Sequence, residues 1–374
     1  MTTKNRLALL TAMATTPVFA APFLAIGDNA ELFLTARTEV RYEDNVTFSP
    51  DSNKINDEVF EFAPGVELVF GKNSLTKGTL SFYERFIAYS DNTVFNEELA
   101  NLFFNSTYDG AKLKLNANAS YQELNQNSRD ASLVGRLVRR DVSAAGLNGE
   151  LAVTEKSKVG TGFRYDSTEY QTNGFTDRET YTVPVNYYFA ISPKVDLSAG
   201  LQYRINNIDA ANADSDEVFY NLGARGAFTP KLTGNFRVGY STRDPDAGSD
   251  SDTIGLDASL SYAYSPKTSF SLNAGNDFQT ASNGSGQEVA SIGFGVQTAI
   301  TPGFSASANI SYEQIDYINS NREDDYIRAS VGLNYALNQH ISLGAFYSFL
   351  DNSSDVSFVE FTANTFSLAA NFRY

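Results

Sequence analysis

The chain has no cysteine, no tryptophan and one histidine, His340. Without thiols there is no disulfide and no thiolate metal centre. General-base chemistry needs a base within hydrogen-bond reach of its nucleophile. His340 stands in a predicted short turn, so it reads as a solvated turn residue and no enzymatic role is expected. Positive charge is scarce too: 28 Lys and Arg stand against 44 Asp and Glu, a net charge of −16. Nucleic acid is a poor partner for such a chain. Beyond the first residues no apolar run is long enough to make a transmembrane helix. Apolar residues at helical spacing are missing as well, which excludes a helical bundle.

What is present is period-two alternation. In Ile191–Arg204, Val195, Leu197, Ala199, Leu201 and Tyr203 alternate with Asp196, Ser198, Gly200, Gln202 and Arg204. Successive strand side chains point to opposite faces, so this strand has one apolar and one polar face. The unit recurs after the turn prolines Pro193, Pro230, Pro266 and Pro302. That step of roughly 36 residues alone would also suit a solenoid or a propeller blade. Each unit, however, holds two amphipathic strands, a short turn and a longer polar loop, which is a β-hairpin. Asp109-Gly110 between alternating runs is a further hairpin signal. The reading is all-β: an up-and-down antiparallel barrel of about 18 strands (16–18), from Glu31–Val46 to Ser357–Tyr374 and including Gly135–Ala152.

The N-terminus reads as a leader. Lys4 and Arg6 precede a short apolar core, and Val18-Phe19-Ala20 fits a cleavage site. The expected division is residues 1–20 as a cleaved signal peptide, 21–29 as a short periplasmic lead, and 30–374 as a single transmembrane β-barrel. No change of composition marks a second domain.

The faces decide where such a barrel sits. One row is almost wholly apolar, as in Ile254, Leu256, Ala258 and Leu260, or Ile327, Ala329, Val331 and Leu333. The alternate row is small or polar, as in Ser291, Gly293, Gly295 and Gln297. A soluble sandwich would bury the apolar row. Against that, aromatics gather at the strand ends: Phe70, Tyr108, Phe189, Phe228, Tyr264, Phe304, Tyr335 and Tyr374 near short turns, Tyr42, Tyr121, Tyr165, Tyr203, Tyr240, Phe278 and Tyr312 near loops. Two such belts suit a membrane's two interfaces. The last strand places Phe366, Leu368, Phe372 and Tyr374 on one face and ends on an aromatic. That pattern resembles the terminal signal read by the barrel-insertion machinery of the bacterial outer membrane.

These residues resemble the outer-membrane β-barrel porins. The opening stretch, Tyr42-Glu43-Asp44-Asn45-Val46 and Phe62-Ala63-Pro64-Gly65-Val66, is similar to the Putative beta-barrel porin 2 family. The resemblance implies an outer-membrane barrel amid lipid and lipopolysaccharide, with no cofactor, metal or reaction. Its expected function is passive diffusion of small hydrophilic solutes, with anionic solutes as the candidate class. The alternatives are a conduit for exopolysaccharide export, which the resemblance implies for some members, and a structural or adhesive barrel with a blocked lumen. No loop looks long enough to fold inward as a constriction, and no plug domain precedes the first strand.

Eight arginines fall on the inward rows: Arg37, Arg41, Arg85, Arg164, Arg204, Arg225, Arg237 and Arg328. They are the pore-lining candidates, either as a cationic track that favours anions or as partners of Glu39, Glu61, Glu67, Asp166, Asp257 and Glu313. The acidic loops 209–217 and 244–252 lack the glycine spacing of a calcium loop and read as solvated outer surface.

Overall fold

The computed structural model describes residues 21–210 and 213–374. The signal peptide expected at 1–20 lies outside the described residues. The alternating runs become long strands, separated by Gly, Pro, Asn and Asp. In chain order they are β1 Leu24–Ile26, β2 Ala30–Glu43, β3 Asp57–Phe70, β4 Thr76–Tyr89, β5 Glu97–Asp109 and β6 Leu113–Asn125. There follow β7 Arg139–Ala152, β8 Ser157–Tyr170, β9 Arg178–Ser192, β10 Val195–Ile208, β11 Ser215–Ala227, β12 Leu232–Pro245 and β13 Ser251–Ala263. The last are β14 Thr268–Thr280, β15 Gly286–Thr301, β16 Phe304–Tyr317, β17 Glu323–Ala336, β18 Ile341–Ser354 and β19 Phe361–Arg373.

Strands β2 to β19 pair antiparallel in sequence order, and β19 pairs back onto β2. The ring is closed at 18 strands. Closure satisfies every ladder without a free edge, which a wall surrounded by hydrocarbon requires. The seam shows how this is completed. β19 pairs with β2 as far as Arg373 opposite Thr35, and Tyr374 exchanges backbone bonds with Leu34 at 2.9 and 2.6 Å. Beyond that point the edge of β2 would be bare. β1 covers it, pairing Leu24, Ala25 and Ile26 with Leu32, Glu31 and Ala30. The stretch expected as a plain lead therefore contains a strand.

The pleat sorts the side chains as the alternation requires. Val40, Phe62, Leu147, Leu222, Ile254, Ile292, Ile310 and Leu368 are exposed on the outside. The outer aromatics include Tyr42, Tyr203, Tyr240 and Tyr312 at the long-loop end and Phe189, Tyr264, Tyr335 and Tyr374 at the short-turn end. Phe278 is the exception: it is 2% exposed. Its strand pairs with β13 only up to Asn276 opposite Leu256. Above that pair the ring turns into protein instead of facing out.

Candidate solute pathway and its constriction

The inward rows differ sharply between the two ends of the barrel. At the long-loop end they carry two buried apolar clusters set among buried polar and charged groups. Val59, Ile87, Tyr89 and Leu99 gather with Val46, Phe95 and Leu137 into one cluster. Val289, Ile315, Tyr317, Tyr326, Phe361 and Ala363 form a second with Ala281, and Phe48 packs against it. Both clusters recruit residues from loops, so loops fold into the barrel mouth.

Two loops carry this. Loop 44–56 is held by Asn45, whose amide donates to Ser49 O at 2.7 Å and Thr362 O at 2.9 Å. That turn buries Thr47 and lays Phe48 on Phe361 with ring centroids 4.8 Å apart. Loop 126–138 doubles back through a Leu133–Arg136 bridge, with Gly135 at φ 71°. Ala131, Leu137 and Val138 are buried, and Val138 is 0% exposed. Asn127 joins the two loops by donating to Thr47 O at 2.6 Å and to Arg136 O at 2.9 Å.

The tip of loop 126–138 crosses the lumen. Arg129 lies 3.8 Å from Glu313 on β16, and Ser282 Oγ, between β14 and β15, donates to Asp130 O. β7 and β16 stand nine strands apart round the ring of 18, so the Arg129–Glu313 contact spans the barrel. Six or seven extended residues reach about 20 Å, which suffices. The bridge is joined from a third side, where Thr176 N donates to Ser282 O at 2.8 Å and Arg178 to Thr280 O at 2.6 Å.

This corrects the expectation that no loop folds inward. It also corrects the strand expected at Gly135–Ala152, which begins at Arg139. Leu133, Val134, Leu137 and Val138 look like the start of an alternating strand, but they belong to the inward loop. A signal was available in the sequence: a run of apolar residues within what must be a loop, beside Arg129-Asp130.

Charge is concentrated beside this loop. Burial works against ionising the Asp130 carboxyl, but the guanidinium groups of Arg129, Arg178 and Arg140 outweigh it and hold its pKa below the ordinary value. Arg140 is 2% exposed and donates to Gln126 O at 2.8 Å, at the root of the loop.

Of the eight predicted arginines, seven are ion-paired. Arg37 meets Glu39 at 2.7 Å, and Glu61 is shared by Arg41 at 2.9 Å and Arg85 at 2.8 Å. Arg164 pairs with Asp166 and Arg237 with Asp257. Arg204 bridges Glu217 at 2.5 Å and Asp277 at 2.7 Å. Arg225 joins Glu150 at 2.7 Å and Asp196 at 3.0 Å, stacked over Tyr188. Arg328 alone has no carboxylate within ion-pair distance among the described residues; its guanidinium rests beside the Tyr326 ring, 5.3 Å from the centroid. Inward cations not anticipated include Arg140, Arg178, Lys158 on Asp196 at 2.9 Å, Arg243 on Glu217 at 2.7 Å, and Arg373 on Glu67 at 2.7 Å. Their row parity was readable, but the strand edges that fix it were not.

Toward the short-turn end the inward rows of β14 to β18 hold Ser, Asn, Gln and Gly. A recess of about 300 Å³ lies there, lined by Ser271, Gln297, Ser305, Asn309, Asn334 and Phe346 among others. His340 sits at the short-turn rim, its Nδ1 3.0 Å from Arg373 O and its ring beside Tyr374. Among the described residues no nucleophile meets it.

The family described as Putative beta-barrel porin 2 matches residues 22–374. No curated protein matches the chain. Among solved structures, OpdO of Pseudomonas aeruginosa aligns with 92% of this chain and 97% of its own, at 12% identity and a TM-score of 0.51. OpdK of the same organism, solved with vanillate, aligns over 93% and 99%, at 11% identity and 0.50. OpdQ, also from that organism, aligns over 92% and 97%, at 9% identity and 0.50. At such identities the likeness is one of fold.

Proposed function

The chain belongs to the Putative beta-barrel porin 2 family, and we propose that it is an outer-membrane porin without enzymatic activity that passes small hydrophilic solutes by passive diffusion, metered by loop 126–138. The observation that carries this is the pairing of an apolar exterior with a hydrophilic inner wall, on strands of 13 to 16 residues. About 9–11 residues cross the hydrocarbon, so the remainder carries the wall into the outer leaflet's headgroups and lipopolysaccharide. On this reading the long loops face outward, the short turns face the periplasm, residues 1–20 are removed on export, and Phe366, Leu368, Phe372 and Tyr374 are read by the insertion machinery.

The paired arginines brace the wall instead of forming a continuous cationic track. Each pair is neutral at a distance, and its field falls off quickly. Selectivity then rests on cations without a carboxylate partner, with Arg328, which donates to Tyr326 Oη at 3.4 Å, the first of them. A weak preference for anions follows.

Planar-bilayer recording of the purified barrel tests the reading. A small ohmic conductance that grows when the loop is loosened supports it. Absence of conductance in the wild type and in loop variants overturns it. The two apolar clusters at the mouth favour one second reading, a structural barrel with a closed lumen, and that same silent result would establish it.

A further inference from the structure

We infer that the recess on the short-turn half of β13 to β18 is a binding site for a neutral saccharide. The inference rests on the lumen being water-filled, as the proposed function has it, and it adds a ligand class that this reading leaves open.

The first observation is what the recess lacks. No Asp, Glu, Lys or Arg lines it. An anion would need a cation or a convergence of donors, and a cation would need carboxylates. Ser and Thr hydroxyls and Asn and Gln amides both donate and accept. A ligand matched to that wall must also do both at many points, as a polyol does.

The second observation is Asn334. It is 6% exposed, and neither its amide nitrogen nor its amide oxygen has a hydrogen-bond partner among the described residues. Leaving a buried amide unpaired is costly. Asn334 lines the recess, with Ser305 opposite on β16 and the bare backbone of Gly344 opposite on β18. A vicinal pair of sugar hydroxyls answers both amide atoms at once.

The third observation is Phe346. It lines the same recess, and it stands opposite Gly332 on the neighbouring strand. A Cβ at Gly332 would lie 3.6 Å from the ring. Glycine there keeps the ring uncovered. A pyranose has one apolar C–H face and a polar rim, so a flat apolar ring beside amides and hydroxyls suits it. The volume of about 300 Å³ is at the small end for ligand sites, enough for a mono- or disaccharide.

The test is titration calorimetry of the full-length, detergent-folded barrel with maltose, against tetraethylene glycol and gluconate. Folding of each variant is checked by its heat-dependent gel mobility. Saturable heat is expected with maltose alone. Asn334→Ala and Phe346→Ala should each weaken binding about tenfold, because a site built for hydroxyls loses most when a partner is removed. Gly332→Val, whose Cβ would stand 3.0 Å from Ser307 Oγ and 3.6 Å from the Phe346 ring and so fills the recess, should abolish it. Absence of saturable heat, equal binding in all variants, or tighter binding of gluconate would each overturn the inference. Liposome swelling separates it from the proposed function. Maltose binding without permeation sustains the recess and removes the channel; permeation without maltose binding does the reverse.

Discussion

Replacing Asn127 by alanine tests whether the bridge across the mouth is a gate. Asn127 is 4% exposed, and its amide holds Thr47 O at 2.6 Å and Arg136 O at 2.9 Å. The first bond ties loop 126–138 to loop 44–56; the second closes the inward loop on itself. Alanine leaves both carbonyls without that donor. Each lost bond costs about 1–3 kcal/mol, so the inward state loses about 3 kcal/mol. A shift of that size changes an equilibrium roughly 100-fold. The barrel ladder is untouched, so heat-dependent gel mobility should match the wild type. In planar bilayers the variant should show larger or rapidly flickering unitary currents, as the loop leaves the mouth part of the time. A folded Asn127→Ala barrel with wild-type conductance and wild-type noise would refute the gate.

Three further outcomes follow from the same geometry. Arg328→Ala should move the reversal potential toward cations, changing the permeability ratio roughly twofold, while the double variant Arg237→Ala, Asp257→Ala should leave it unchanged; an equal shift in both would dismiss the argument from pairing. Asp130 is held below its ordinary pKa of 3.8, so its stabilisation of the inward loop is complete above that value and is lost as pH falls through the lower folded value. Conductance should therefore be flat from neutral pH to just above 3.8 and rise only in stronger acid, whereas Asp130→Asn should conduct more at neutral pH and show no acid step. Removing Phe372–Tyr374 deletes the two backbone bonds to Leu34 and three residues of the seam, and should leave most of the protein unassembled in outer-membrane fractions.

The wall was legible because period two is a local rule. Ile254, Leu256, Ala258 and Leu260 announce their face without knowledge of any other strand, and closure at 18 strands follows once hairpins are counted. The mouth was not legible for the same reason. Val46, Leu137 and Val138 continue the alternation of β2 and β7, yet they are buried, Val46 and Leu137 in one cluster with Val59 of β3 and Leu99 of β5. Alternation reports that a residue is hidden from water; it does not distinguish hydrocarbon outside from protein inside. Phe278 fails in the same way: parity sends it outward, but β13 leaves β14 just above Asn276 and the ring finds protein. The arginine pairs fall between these cases. Arg37–Glu39 and Arg164–Asp166 are two residues apart on one strand and could be anticipated. Arg204–Asp277 and Arg129–Glu313 join distant segments and needed the folded ring.

The pairing also bears on how such a channel can discriminate at all. Inside a narrow lumen an isolated charge acts at a lower effective dielectric than in bulk water, so one unpaired group can outweigh many paired ones. Breaking a buried pair by removing one partner costs about 3–5 kcal/mol, which discourages loss of Arg85 from Glu61 or of Arg243 from Glu217, since all four side chains are at most 10% exposed. Arg328 carries no such constraint. Its loss leaves no stranded carboxylate, so this position can change charge without harming the wall. Under the proposed function, selectivity and stability fall to different arginines, and a barrel of this construction could alter what it passes while keeping the braces that hold it in shape.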